Sequence, residues 1–182
     1  MAQTHPVAVI HGRFQPLHLG HLEYLLAGAE RSRMLIVGIT NPDPWQTAVE
    51  ETDPSRSLDG SNPFTYYERY LMVEGALREA GVPDERMRIV PFPHSFPERL
   101  RHYAPPDAVY LLTVYDDWGD EKQSRFQSLG LHTEIMWRRL DKPISGTRVR
   151  QAIAAGADWE DLVPPAVARV IKESGADARI TQ

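Results

Sequence analysis

The 182-residue chain contains no cysteine, which excludes disulfide bonds, thiolate chemistry and cysteine-ligated zinc. It has no run of basic residues and a formal net charge of −5, so we expect no nucleic-acid partner. No apolar stretch approaches the ~20 residues that a membrane-spanning helix needs, and the start of the chain lacks a signal peptide, so we expect no membrane association. The remaining composition, 42% hydrophobic and 25% charged, is that of an ordinary globular protein, for which we expect a cytoplasmic location.

Short apolar runs alternate along the chain with amphipathic segments of helical length. The pattern predicts strands at 7–10, 34–40, 88–92, 108–114 and 133–137, and helices at 19–31, 65–80, 97–103, 121–129, 147–155 and 165–173. Because strands that alternate with helices form parallel sheets covered on both faces, we predict an α/β, Rossmann-like fold with a five-stranded parallel sheet. We expect one domain over 1–182, with a small helical segment at about 145–174. The long polar segment 41–63 favours a binding loop or lid.

The first candidate site is the stretch HGRFQPLHLGH, residues 11–21, which directly follows the first predicted strand. Ligands of parallel α/β sheets bind beyond the carboxyl ends of the strands, where this stretch lies. His18 and His21 are three residues apart at a helix start, so both side chains can point the same way. Gly20 lets a ligand approach the backbone, and Arg13 offers phosphate a permanently charged guanidinium. The spacing and the absence of a nearby carboxylate make a zinc site a weak alternative, and we predict no metal-ligating residues.

The second candidate site is the stretch KPISGTRVRQAI, residues 142–153. Ser145 and Thr147 are both candidate N-caps for the helix that follows. Arg148 and Arg150 fall in the first turn, where the helix dipole disfavours a cation unless an anion binds there. The pattern therefore indicates a second phosphate contact. The alternative is an ordinary capped helix whose arginines are solvated.

These two stretches resemble the HxGH and ISGTxxR signatures of the nucleotidylyltransferase superfamily, and GRFQPLHLGH is especially similar to the archaeal-type nicotinamide mononucleotide (NMN) adenylyltransferases. The resemblance implies transfer of a nucleoside monophosphate from a nucleoside triphosphate to a phosphate or phosphonate acceptor, with release of pyrophosphate. Such an acceptor already carries about −1.5 to −2 charges near neutral pH, so it needs little general-base help. The expected cofactor is Mg²⁺, which would bridge phosphate oxygens and keep several of its waters.

The resemblance also implies roles for individual residues. Catalytic roles fall to His18, His21, Arg13 and Arg150, and nucleotide contacts to Gly12, Phe14, Gly20, Asp117, Trp118, Ser145, Gly146 and Thr147. The candidates for acceptor binding are Arg56, Arg69, His94 and Phe96. For a shared phosphate site, the two helix starts that carry the signatures must converge above the sheet.

The nucleotide base and the acceptor substrate are inferred from the positions at which the chain differs from the NMN adenylyltransferases. That family has a tryptophan after the third strand that stacks on nicotinamide, whereas this chain has HSFPER at 94–99. The stretch TVYDDWGDEK at 113–122 is reminiscent of small cytidylyltransferases such as the glycerol-phosphate enzymes. The whole pattern is similar to a branch of the family in phosphonate biosynthesis, which couples CMP to small phosphonates such as phosphonoformate.

This branch is the favoured interpretation, with CTP and a small phosphonate as substrates. The alternatives are an NMN adenylyltransferase that uses ATP and a nucleotide-binding regulator without turnover. The oligomeric state stays open, a homo-oligomer included.

Overall fold

The computed structural model describes residues 5–43, 61–114, 117–139 and 144–180, with 117–120 described by their backbone alone. Strands and α-helices follow in the order β1 (His5–Gly12), α1 (Leu19–Arg31), β2 (Ser32–Thr40), α2 (Tyr66–Glu79), β3 (Met87–Phe92), β4 (Val109–Val114), α3 (Asp117–Ser128), β5 (His132–Arg138), α4 (Gly146–Ala154), α5 (Pro165–Ser174) and α6 (Ala176–Ile180). Short 3₁₀ helices cover Asp84–Arg86, Pro97–His102 and Glu160–Leu162. In the described ranges, no helix combines the length and the apolar character that crossing a membrane requires.

The five strands form one parallel sheet in the order β3-β2-β1-β4-β5. The chain adds strands outward from β1 in one direction and then returns to add β4 and β5 on the other side. In a sheet of this type, the crevice at the carboxyl ends of the strands where the order reverses is the usual ligand site. The reversal lies between β1 and β4, so the first signature, which leaves β1, stands at that point. The predicted α/β fold is confirmed.

Both faces of the sheet are buried, which explains why β1 is a nearly continuous apolar run. Ala8 and Ile10 pack into a cluster with side chains from α1, α2, α4, α5 and α6. Val9 points to the opposite face and packs with Leu100 of the 3₁₀ helix Pro97–His102 and with Phe126 of α3. The helices that carry the two signatures, α1 and α4, therefore share one face of the sheet.

Local sequence signals explain most of the observed boundaries. Thr65, predicted as the first helical residue, is the N-cap of α2: its Oγ1 accepts from the Glu68 backbone N at 3.2 Å, and the Glu68 carboxylate accepts from the Thr65 backbone N at 2.8 Å. The segment 97–103 forms a 3₁₀ rather than an α-helix.

Helix α3 is longer than predicted, and helix α6 is an additional element. Helix α3 begins at Asp117, four residues before the predicted start, because acidic residues in a first turn are stabilised by the helix dipole even without apolar periodicity. Helix α6 was not predicted, since its five residues are too few to show a helical period. Most of the predicted loop 41–63, residues 44–60, lies outside the described residues.

Candidate active site

The two signature histidines stack on each other at the start of α1. His18 is the N-cap, and its Nδ1 accepts a hydrogen bond from the His21 backbone N at 3.3 Å. The two rings lie 3.7 Å apart between centroids, with 21° between their planes. The expectation that both rings point the same way is therefore confirmed.

Burial decides the protonation state of His18. Desolvation lowers its pKa from 6.5 to about 4, so the ring is neutral near pH 7. Because Nδ1 accepts the bond from the backbone of His21, the ring proton of the neutral form resides on Nε2. His18 therefore presents a neutral N–H donor, which suits a phosphate oxygen and adds no charge that must be desolvated.

Phe14 packs against His21, one member of this pair. Its ring is completely buried and meets His21 edge-on at 5.0 Å, and its backbone adopts a left-handed φ of 52°. A Cβ at Gly12 would approach the Phe14 ring to 3.0 Å, and one at Gly20 would approach His18 Nδ1 to 3.3 Å. The prediction that Phe14 contacts nucleotide is corrected for its side chain: a ring without exposed surface positions His21 instead.

The two signatures meet at the backbone oxygen of Gln15. Nη1 of Arg150 donates to this oxygen at 2.6 Å. A Cβ at Gly146 would lie only 2.7 Å from the same oxygen, so the start of α4 can approach the first signature because position 146 carries no side chain. The expected convergence of the two helix ends is confirmed.

Ser145 and Thr147 have different roles at the start of α4. Ser145 is the N-cap, and its Oγ accepts from the Arg148 backbone N at 3.2 Å. Thr147 lies inside the helix, so its alternative assignment as a cap is wrong; its Oγ1 accepts from Nη2 of Arg150 at 3.4 Å. Arg150 is half-buried, and desolvation lowers its pKa below the ordinary value. Backbone N–H groups in the first turn of a helix attract anions.

Gln15 is a positioning residue that the sequence interpretation missed. It is buried, its Nε2 donates to the Phe64 backbone oxygen at 2.9 Å, and its Oε1 accepts from the Phe64 backbone N at 2.9 Å. These two bonds fasten the first signature to the segment that precedes α2. The polar residue between Phe14 and Pro16 was the only available signal.

Arg69, predicted to bind the acceptor, is only 2% exposed. Its guanidinium donates to backbone oxygens of Thr65 (3.2 Å), Arg13 (3.0 Å), Thr40 (2.7 Å) and Asn41 (2.8 Å). These bonds tie the carboxyl ends of β1 and β2 to α2 and occupy four of the five N–H groups of the side chain. Burial lowers its pKa to about 10, so it remains charged near neutral pH. The geometry therefore corrects the prediction: Arg69 braces the site.

His94 and Phe96 lie in the turn that follows β3, and both are partly buried. The Arg99 guanidinium lies 5.3 Å from the centre of the Phe96 ring. A further histidine, His11, is the penultimate residue of β1, and its ring lies 6.0 Å from that of His94. The sequence interpretation did not single it out as a site residue, although a histidine in an apolar strand was a visible signal.

The remaining predicted residues are only partly placed. Arg13 is partly exposed, and its carbonyl is held by Arg69. Arg56 lies outside the described residues, and so do the side chains of Asp117 and Trp118. Within the described ranges, no group of three or more histidine or acidic side chains is arranged to hold a metal ion.

Known sequences resemble this chain over nearly its whole length. The model of the cytidylyltransferase-like family matches residues 9–152, which contain both signatures. A phosphonoformate cytidylyltransferase from Streptomyces viridochromogenes is 76% identical over 172 residues, which cover 94% of each chain. A nicotinamide-nucleotide adenylyltransferase from Picrophilus torridus is 33% identical over 95% of this chain and 94% of its own.

A solved structure shares the fold at much lower identity. A bifunctional NMN adenylyltransferase/ADP ribose pyrophosphatase from Francisella tularensis has a TM-score of 0.71 at 17% identity, over 96% of this chain and 52% of that one. The chain thus spans about half the length of this structural relative. The likeness supports the fold alone.

Proposed function

The chain belongs to the cytidylyltransferase-like family of nucleotidylyltransferases, and from that membership we propose that it transfers CMP from CTP to a small phosphonate, with phosphonoformate as the favoured acceptor. The observation that carries the proposal is the junction of the two signatures at Gln15, which brings the two helix starts together. The 76% identity to a phosphonoformate cytidylyltransferase supports the choice of base and acceptor. The proposal also includes a cytoplasmic location and no nucleic-acid partner.

In the proposed reaction, a phosphonate oxygen of the acceptor attacks the α-phosphorus of CTP in line. One P–O bond forms, the bond to the β-phosphate oxygen breaks, and pyrophosphate leaves. The acceptor oxygen is already anionic, so the protein's contribution is positioning and stabilisation of charge. Mg²⁺ is proposed to arrive with the triphosphate as part of the substrate and to neutralise its oxygens.

Each signature has a distinct task in this reaction. His18 offers its Nε2–H donor, and His21 stacks beside it, where charge develops on the transferred phosphoryl group. The start of α4 and the Arg150 guanidinium hold the β- and γ-phosphates, which become the leaving pyrophosphate. Arg13 faces the phosphoryl end of the acceptor.

The second candidate function is that of an NMN adenylyltransferase, which the 33% identical relative favours. Against it stands the segment at 94–99, where Phe96 is the only aromatic ring apart from His94 and is covered by Arg99. A flat nicotinamide ring needs an open aromatic face to stack on. A small charged phosphonate has no ring and needs no such aromatic face.

Pyrophosphate release tests the proposal directly. We expect release from CTP with phosphonoformate and little release from ATP with NMN, measured with Mg²⁺ by a coupled assay. The His21→Ala variant should lower turnover by about 10²- to 10³-fold, since it removes one stabilising donor. The exposed His132→Ala variant is the control and should retain activity.

Three other outcomes contradict parts of the proposal. Release with ATP and NMN alone would replace it with the adenylyltransferase. No release with any pair would favour a nucleotide-binding regulator. Near-normal turnover of His21→Ala would mean that the first signature is misinterpreted.

A further inference from the structure

His11 occupies a position where the pattern of β1 predicts an apolar residue. Side chains along a strand alternate between faces, so His11 follows Val9 toward the face covered by α3. There its ring stacks on Phe92 at 4.4 Å with 13° between the planes, and Phe126 lies 5.5 Å away. The imidazole is thus built into the apolar cluster on this face.

The ring of His11 is 7% exposed, and neither of its nitrogens has a hydrogen-bond partner in the described part of the chain. A buried polar group without a partner costs about 1–3 kcal/mol, and a valine here would avoid that cost. Buried polar groups in native proteins are nearly always paired, so an unpaired one needs a specific explanation. The catalytic roles assigned above do not use His11.

Two further basic side chains accompany His11. The His94 ring lies 6.0 Å from it and is partly buried, and Lys122 of α3 is close enough to affect its charge. Burial, Lys122 and His94, in that order, hold the pKa of His11 well below 6.5, so it is neutral near pH 7. Such a group of basic side chains would be stabilised by an anion, which would also give His11 a partner.

The position of this group matches the acceptor side of the site. His11 directly precedes Gly12 and Arg13, and His94 follows β3, so both lie at the carboxyl edge of the sheet. An acceptor whose phosphoryl end faces Arg13 and the α-phosphorus must place its other end elsewhere along this edge. His94 is the partly exposed member of the pair, and His11 lies behind it.

We propose that His11, His94 and Lys122 form a subsite for the second anionic group of the acceptor, a carboxylate next to the phosphonate. This inference rests on the proposed function, because it concerns the acceptor of that reaction. Both nitrogens of His11 are closed to solvent in this structure, so the carboxylate reaches them when the His94 side chain turns aside. The subsite then selects carboxylated phosphonates over simple alkyl phosphonates.

The test compares phosphonoformate with methylphosphonate, which lacks the carboxylate, in wild type and in His11→Val. We expect the KM for phosphonoformate to rise tenfold or more, with the KM for CTP and for methylphosphonate changing less than twofold. The melting temperature should stay equal or rise, because valine suits the apolar cluster. The exposed His132→Val variant is the control and should change none of these values.

The outcomes separate this inference from the proposed function. A purely structural role for His11 predicts a lower melting temperature and an equal loss for both acceptors, and this result would overturn the subsite. Calorimetric titration of phosphonoformate provides a readout without turnover. If wild type and His11→Val bind phosphonoformate with the same affinity, the subsite alone is refuted. If binding depends on His11 but no turnover follows, the proposed function alone is refuted. If wild type does not bind phosphonoformate, both are refuted. If His11→Val fails to fold, His11→Gln is used with the same criteria.

Discussion

The two sides of the candidate site are constructed differently. The proposed nucleotide side consists of two continuous segments, 12–21 and 144–150, that touch through one backbone oxygen. The proposed acceptor side consists of single side chains from separate elements, His11 from β1, His94 from the turn after β3 and Lys122 from α3. The comparison teaches that the first side is specified by local segments at helix starts, whereas the second depends on side chains that the sheet brings together. Arg69 braces both sides, since it holds the ends of β1 and β2.

The largest expected effect comes from Arg69→Met, which tests whether this residue braces the site or belongs to the acceptor side. Backbone oxygens of Arg13, Thr40 and Asn41 lose their partner, and at about 1–3 kcal/mol for each group the loss of unfolding free energy should be about 3 kcal/mol or more. Urea denaturation measures it. Arg78→Met on the exposed face of the same helix is the control and should change the free energy of unfolding far less, because its ion pair with Asp84 is solvated.

A different result would break the comparison. If Arg69→Met kept its stability and only raised the KM for the acceptor, Arg69 would belong to the acceptor side after all.

The second prediction concerns the desolvated nucleotide side and acidic pH. The folded-state pKa of His18 is about 4 and its ordinary value is 6.5, so the unfolded chain binds this proton first as the pH falls. Stability should therefore decrease from pH 6.5 to pH 4, with a contribution from His18 of at most about 3 kcal/mol. Denaturant titrations at several pH values measure the slope.

The His18→Asn variant isolates that contribution, since His11 is also buried and adds to the slope of the wild type. The slope should become shallower in His18→Asn and stay unchanged in the exposed His132→Asn control. Parallel curves for wild type and His18→Asn would show that the His18 ring is solvated, contrary to the structure.

The smallest expected effect separates two arginines of α4. Arg150 is half-buried against Gln15, and we expect Arg150→Ala to weaken CTP binding about tenfold, or about 1.4 kcal/mol, with little change in acceptor KM. Arg148 lies two residues earlier and is exposed, and Arg148→Ala should change CTP affinity less than threefold. Calorimetry with CTP measures both affinities. If the two variants weakened CTP binding equally, Arg150 would not have its assigned role as the cation that holds the triphosphate.

The fold was predictable because its signals are short-range. Alternating apolar runs and helix-length segments located the strands and most helices. The same signals missed the first turn of α3, where acidic residues rather than apolar periodicity favour the helix. They also missed α6, which has too few residues to reveal a period.

The candidate site was predictable only in part. The signatures located His18, His21 and Arg150, because each lies in a continuous motif at a helix start. They could not distinguish the buried Phe14 from a ligand contact, since a side chain's burial depends on what packs over it. Gln15 escaped notice because its partner Phe64 is 49 residues away.

By itself, the sequence determined a parallel α/β fold through periodicity, and the resemblance of two motifs at helix starts indicated a nucleotidylyltransferase, because both signals lie within a few neighbouring residues. Only the tertiary structure decided that Gln15 joins these segments, that Arg69 braces strand ends and that His11 lies buried beside His94. These relations depend on strand order and on the register between β1, β2 and β3. Strand order and register bring together residues that are far apart along the chain, and no local pattern specifies which side chains then meet.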